Sequence, residues 1–274
     1  DSLKEYERNF GPTYYSFNRG AVHYVVLDDI FWFGGYIGHI DDVQLRWLER
    51  DLANIERGKK VVVFTHIPVY SNQYKRENEK RPSNSLVVTN RDLLYKILEP
   101  YNCKIICGHT HESEYLKDGG CEIDIIGAAC GAWWTSDICA DGTPNGYAVY
   151  EVKGEELVRS YKGTGKPADY QMELSIVEKS GEKFLWANVW GADEKWEVTL
   201  YQGSDRVSAM ERQLGKDTRT VELFEGSDKP AKHTWVEAFP TDHIYQAKLS
   251  GGKKELTVVA KSDDGKEYKG SITG

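Results

Sequence analysis

Val61-Val62-Val63-Phe64-Thr65-His66-Ile67-Pro68 and, further along, Cys103-Lys104-Ile105-Ile106-Cys107-Gly108-His109-Thr110-His111 share one design, a short apolar run that stops at histidine. Runs of this length rich in β-branched residues read as strands covered on both faces, the pattern of a parallel sheet between helices. Loops at the C-terminal ends of such strands are where α/β sheets carry their chemistry, and neutral imidazole is a common ligand for zinc, iron and manganese. For Thr65-His66-Ile67-Pro68 alone the plainer reading is a loop histidine with its hydrogen bonds satisfied. For Gly108-His109-Thr110-His111 the metal reading takes over. The glycine permits a tight turn, and a spacing of two places both rings on one side of an extended backbone.

The neighbouring text supplies the helices such a sheet needs. From Asp41 or Asp42, a natural N-cap, Leu45, Leu48, Leu52 and Ile55 recur at helical spacing until Gly58. Asn90 is predicted to cap a second helix with Leu93, Leu94, Ile97 and Leu98 on its apolar face, ended by Pro100. Upstream, residues 14–17 and 21–27 read as a hairpin turning at Asn18-Arg19-Gly20. Asp28 and Asp29 read as turn or helix-start residues. The polar segment 71–85 reads as an exposed loop, since it carries too little apolar surface to build a core. Further strand-like runs follow at 123–126, 147–152 and 157–161. Beyond about Ala168 helical periodicity stops, and short alternating, aromatic-rich runs at 185–189, 196–201, 243–249 and 255–260 predict a β-sandwich. The expected organisation is an α/β domain over 1–168 and an all-β sandwich-like domain over 169–274.

Composition narrows the function classes. In 274 residues with 40% apolar content there is material for real cores, and the net charge of −8 argues against a broad grip on nucleic acid or anionic lipid. No apolar run approaches the roughly 20 residues of a membrane span, and residues 1–8 are charged rather than signal-like. The five cysteines lack the paired spacing of a zinc ribbon and read mainly as small buried hydrophobes, with a Cys130–Cys139 disulfide left open. Trp133 and Trp134, set among small residues, are candidates for a substrate wall or for ordinary packing. Trp186, Trp190, Trp196 and Trp235 read as sandwich core rather than a sugar-binding face, and His233 and His243 as isolated.

Phe64-Thr65-His66-Ile67-Pro68 followed by Cys107-Gly108-His109-Thr110-His111 resembles the last two metal-binding motifs of the calcineurin-like metallophosphoesterases. Residues 14–28 resemble that family's strand pair and Gln44-Leu45-Arg46-Trp47-Leu48 its helix before the histidine motif, so the likeness covers roughly 10–165. The stretch from Gly163 to Met172 and the strands after it resemble the C-terminal domain of some secreted bacterial members, which implies a periplasmic or extracellular location. The resemblance implies a partial four-layer α/β/β/α sandwich and hydrolysis of phosphate mono- or diesters. It further implies two divalent ions of the manganese, iron or zinc class, His66 and His109 on one and His111 on the other, clamping the phosphoryl group of a small-molecule ester.

The same comparison exposes a departure. The family's Asp-x-His, Gly-Asp and Gly-Asn-His motifs do not occur in these 274 residues, so the bridging carboxylate, the asparagine ligand and the usual proton-donating histidine are not supplied, and no catalytic side chain is identified. Without a bridging carboxylate two cations repel at short range. The expectation is at most one weakly held ion, apolar surface left bare, a natural protein longer at its N-terminus, and no turnover by the chain as written. Two rivals stand beside this reading: a non-catalytic module that binds carbohydrate or protein through the β-sandwich, and a mononuclear metal protein or a half that pairs with a separately encoded partner.

Overall fold

Four parallel strands lie at the centre of the first sheet of the computed structural model, which describes residues 2–131, 135–227, 229, 231–232, 234–249 and 255–273. The chain divides into two units, 1–126 with 151–158 and 127–150 with 159–274. The first unit opens with α1 (Ser2–Phe10), which was not anticipated, and then β1 (Tyr15–Arg19) and β2 (Val22–Val26). This hairpin pairs Arg19 with Val22, so it turns at Gly20-Ala21, one residue later than expected, with Gly20 at φ 61°. A short antiparallel pair follows, β3 (Ile30–Trp32) and β4 (Tyr36–Gly38), also not anticipated.

Next come α2 (Asp42–Leu52), β5 (Lys60–Phe64), a helical turn α3 (Gln73–Arg76), α4 (Arg91–Leu98), β6 (Asn102–Cys107), β7 (Glu114–Asp118) and β8 (Cys121–Ile125). The six-stranded sheet runs β1-β2-β5-β6-β8-β7. The helices α2 and α4 share one core with the sheet, in which Leu45, Leu48, Leu52, Leu94 and Leu98 pack with Val25, Val61, Val63, Cys103, Ile105 and Ile123, as the usual right-handed crossover between neighbouring parallel strands leads one to expect. The opposite face carries a row of stacked aromatics across β1, β2 and β5, the exposed Phe17 and the half-buried Tyr24 and Phe64.

Asp41 caps α2 as expected, accepting from the Gln44 N–H at 2.8 Å. Asn90 makes no such cap on α4. Its amide spans sideways instead, accepting from the Ile40 N–H at 3.1 Å and donating to the Ile40 carbonyl at 2.6 Å. Both backbone groups of a buried residue are satisfied by one side chain, and this outweighs the cap.

Gly38 marks a close approach between β4 and the chain at Val87. A Cβ there would lie 2.6 Å from the Val87 carbonyl oxygen, a backbone atom with little freedom to move. Gly38→Ala is therefore expected to cost about 1–3 kcal/mol, read as a lowered urea midpoint with unchanged m. An unshifted midpoint would show that the two segments part readily.

β9 (Gly146–Lys153) and β10 (Glu156–Gly163) form a hairpin whose residues fall in both units. The second unit continues with β11 (Glu173–Lys179), β12 (Glu182–Asn188), β13 (Glu197–Gln202), β14 (Asp205–Ala209), β15 (Glu211–Lys216), β16 (Pro240–Lys248), β17 (Glu255–Lys261) and β18 (Glu267–Thr273). Two antiparallel sheets, β11-β12-β16-β15 and β14-β13-β17-β18, enclose a core of Leu185, Ala187, Val198, Leu200, Tyr245, Val258 and Ala260. Thus an α/β sheet is followed by a β-rich sandwich.

Trp186 and Trp190 are buried and Trp196 stacks on Tyr268 at 5.7 Å, as the core reading expects, whereas Trp235 is exposed. His243 is not isolated. Its ring nitrogens reach Asn188 Oδ1 at 2.6 Å and Asp141 Oδ2 at 3.2 Å, and Asn188 donates to Asp217 Oδ2 at 2.7 Å. This network lies inside the second unit, where an unpaired polar group is costly. The cysteines are free thiols, four buried and Cys130 exposed, so no Cys130–Cys139 disulfide forms. No helix among the described residues is long and apolar enough to cross a membrane.

Candidate metal centre

The exit loops of β5 and β6 are stitched together by backbone. Thr65 N–H donates to the Ile106 carbonyl at 3.2 Å and Gly108 N–H to the His66 carbonyl at 3.1 Å. Beneath them, the buried Asp29 carboxylate accepts from the His66 N–H at 3.0 Å and the Ile67 N–H at 2.9 Å. Asp29 is therefore no simple turn residue, as its sequence position implied: it shapes the loop that presents His66. Burial pushes its carboxyl up to about 7, against the pull of those two N–H donors.

His66 and His109 come together, with His66 Nε2 3.1 Å from His109 Nδ1 and the rings edge-to-face at 4.9 Å. The other nitrogen of His109, Nε2, lies 2.9 Å from the Ser85 carbonyl. A carbonyl only accepts, so Nε2 carries the proton and Nδ1 turns a bare lone pair toward His66. The contact is accordingly a hydrogen bond donated by His66 Nε2–H to His109 Nδ1, and its length is close to the about 3.3 Å that separates two nitrogens bound to one zinc at tetrahedral angles, so an ion that displaces this proton would meet two nitrogens already spaced to share it.

Charge points the same way. Burial lowers the His66 pKa although the residue reaches the surface. For His109, burial first and the nearby His66 second bring it to about 4. His111 is lowered by burial and then by His66. Neutral rings are the form that binds metal.

His109 and His111 adopt φ of 71° and 56°. The expected extended backbone is thus replaced by two left-handed residues in three, a conformation that is strained for side chains larger than glycine and concentrates at functional sites. Among the described residues, no group of three or more His, Cys, Asp or Glu side chains gathers to hold a metal, so His111 does not complete a cage with the pair. Trp133 and Trp134 lie outside the described residues.

The segment 71–85 is more than an exposed loop. Ser71, Gln73 and Arg76 are buried. Arg76 donates to Glu114 Oε1 at 2.7 Å and Glu112 Oε2 at 2.6 Å, while Ser71 Oγ and Asn72 N–H also reach Glu114 at 2.7 and 2.9 Å. Glu112 directly follows His111, so this network ties the polar segment to the exit of the histidine loop.

Imidazoles meeting at the ends of neighbouring parallel strands place the chain among α/β proteins whose chemistry sits at the strand C-termini. Residues 3–113 match the family model described as calcineurin-like phosphoesterase, and residues 125–268 the model described as the C terminal of calcineurin-like phosphoesterase. The chain belongs to the calcineurin-like phosphoesterase family. No curated protein matches it.

Proposed function

We propose that this chain carries part of the site of a metal-dependent phosphoesterase acting on phosphate mono- or diesters, with His66 Nε2 and His109 Nδ1 as two ligands of one divalent ion and His111 serving a second. The observation that carries this is the pair of neutral ring nitrogens 3.1 Å apart. When bound, such an ion supplies Lewis-acid polarisation of a phosphoryl oxygen. The chain's own residues do the positioning: the Ser85 carbonyl holds the His109 tautomer, and Asp29 holds the His66 loop. In this reading the carboxylate and asparagine ligands come from polypeptide outside these 274 residues, the 274 residues alone bind one ion weakly, and the intact protein is exported.

Calorimetric titration with zinc tests the reading. One site is expected, with His109→Ala lowering affinity at least tenfold and leaving the urea midpoint near that of the parent. The 274-residue chain is expected to release no phosphate from 4-nitrophenyl phosphate with zinc or manganese. Zinc affinity indifferent to His66 and His109 would overturn the metal assignment, and robust turnover would overturn the predicted inactivity.

A further inference from the structure

The segment Ile30-Phe31-Trp32-Phe33-Gly34-Gly35-Tyr36-Ile37-Gly38 holds no charged residue in a chain that is 28% charged. It folds as β3 and β4, and none of its large rings enters the core: Trp32 is 70% and Phe33 64% exposed, and Phe31 and Tyr36 are also exposed. A soluble protein that leaves such a patch bare commonly uses it for binding.

The base of this hairpin is fixed to both elements that hold the histidines. On one side His39 N–H donates to the Asp29 carbonyl at 2.8 Å, and Asp29 shapes the His66 loop. On the other, Gly38 N–H donates to the Asn84 carbonyl at 2.8 Å and Thr89 N–H to the Gly38 carbonyl at 2.7 Å, flanking Ser85, the partner of His109. The Tyr36 ring meets His109 edge-on at 5.7 Å. Phe31 stands edge-on to His39 at 5.8 Å and tilts against Phe33 at 6.5 Å. An aromatic wall is thereby held beside the histidine pair.

We propose that residues 30–38 are a ring-binding platform for the organic part of a phosphoester whose phosphate lies at His66 and His109, and that this part is a planar aryl or nucleobase ring. The inference rests on the phosphoesterase reading and names its substrate class. The lack of Lys or Arg in the hairpin and the net charge of −8 disfavour an anionic lipid surface as the occupant. Every aryl or base ring offers a face to stack on, and one such stack strengthens binding by about tenfold or more.

The test compares inorganic phosphate with phenyl phosphate by calorimetry on the zinc-saturated 274-residue chain. Phenyl phosphate is expected to bind about tenfold tighter. The Trp32→Ala/Phe33→Ala variant should bring the two affinities level while keeping the zinc affinity, the phosphate affinity and the urea midpoint of the parent. Equal affinities in the parent, or a preference that survives in the variant, overturn the platform and leave the phosphoesterase reading intact. Absence of any zinc or phosphate binding overturns that reading and the platform with it. Sedimentation with phosphatidylcholine vesicles that depends on Trp32 and Phe33, without a preference for phenyl phosphate, assigns the hairpin to a lipid surface and overturns the proposal.

Discussion

Replacing Arg76 with methionine is expected to destabilise the first unit by about 3–5 kcal/mol. An exposed ion pair is worth about 1 kcal/mol or less, but Arg76, Glu112 and Glu114 are each more than nine-tenths buried. The guanidinium bridges the two carboxylates at 2.6 and 2.7 Å, so its removal leaves two buried charges facing each other without their cation. Natural domains have roughly 5–15 kcal/mol in hand, so the loss is a large share of the total. The triple variant Arg76→Met/Glu112→Gln/Glu114→Gln should recover part of it, because the repulsion goes with the charge. Urea unfolding followed by tryptophan fluorescence checks both. A Met variant as stable as the parent would mean that water already reaches the network.

Local period and punctuation made much of the fold legible. The runs 61–64 and 103–107 announced buried parallel strands, and Leu45, Leu48 and Leu52 lie on the core face of α2 as their spacing requires. What stayed hidden depends on partners far along the chain. Segment 71–85 is polar on average, yet Ser71 and Arg76 find carboxylates some 40 residues away, and averaging over a window cannot register that. Asn90 carries the residue type of a cap, but the unpaired backbone of Ile40 competed for its amide. His243 looked isolated because Asp141 lies about a hundred residues upstream, in a loop that meets β16 only once the chain has folded. At the site, the motifs marked His66 and His109, while the left-handed backbone at His109 and His111 was invisible because neither residue type requires it.

Asp29→Ala is expected to act on the site and the fold together. The carboxylate is the acceptor for two consecutive buried-loop N–H groups, and alanine leaves both without it. At about 1–3 kcal/mol for each donor left unsatisfied, the variant should lose about 3 kcal/mol of stability. Because the same two bonds set the direction from which His66 approaches His109, zinc affinity should fall about 10–100-fold, as when a group orienting a metal ligand is removed. Asp29→Asn separates the two effects. Its amide oxygen can replace only one of the acceptor oxygens, so stability should recover in part while zinc affinity stays below that of the parent. Calorimetry below the unfolding range of each variant makes the comparison. Parent-like zinc affinity in Asp29→Ala would show that the stitching of Gly108 to His66 is sufficient to aim the ring, and that Asp29 serves the fold alone.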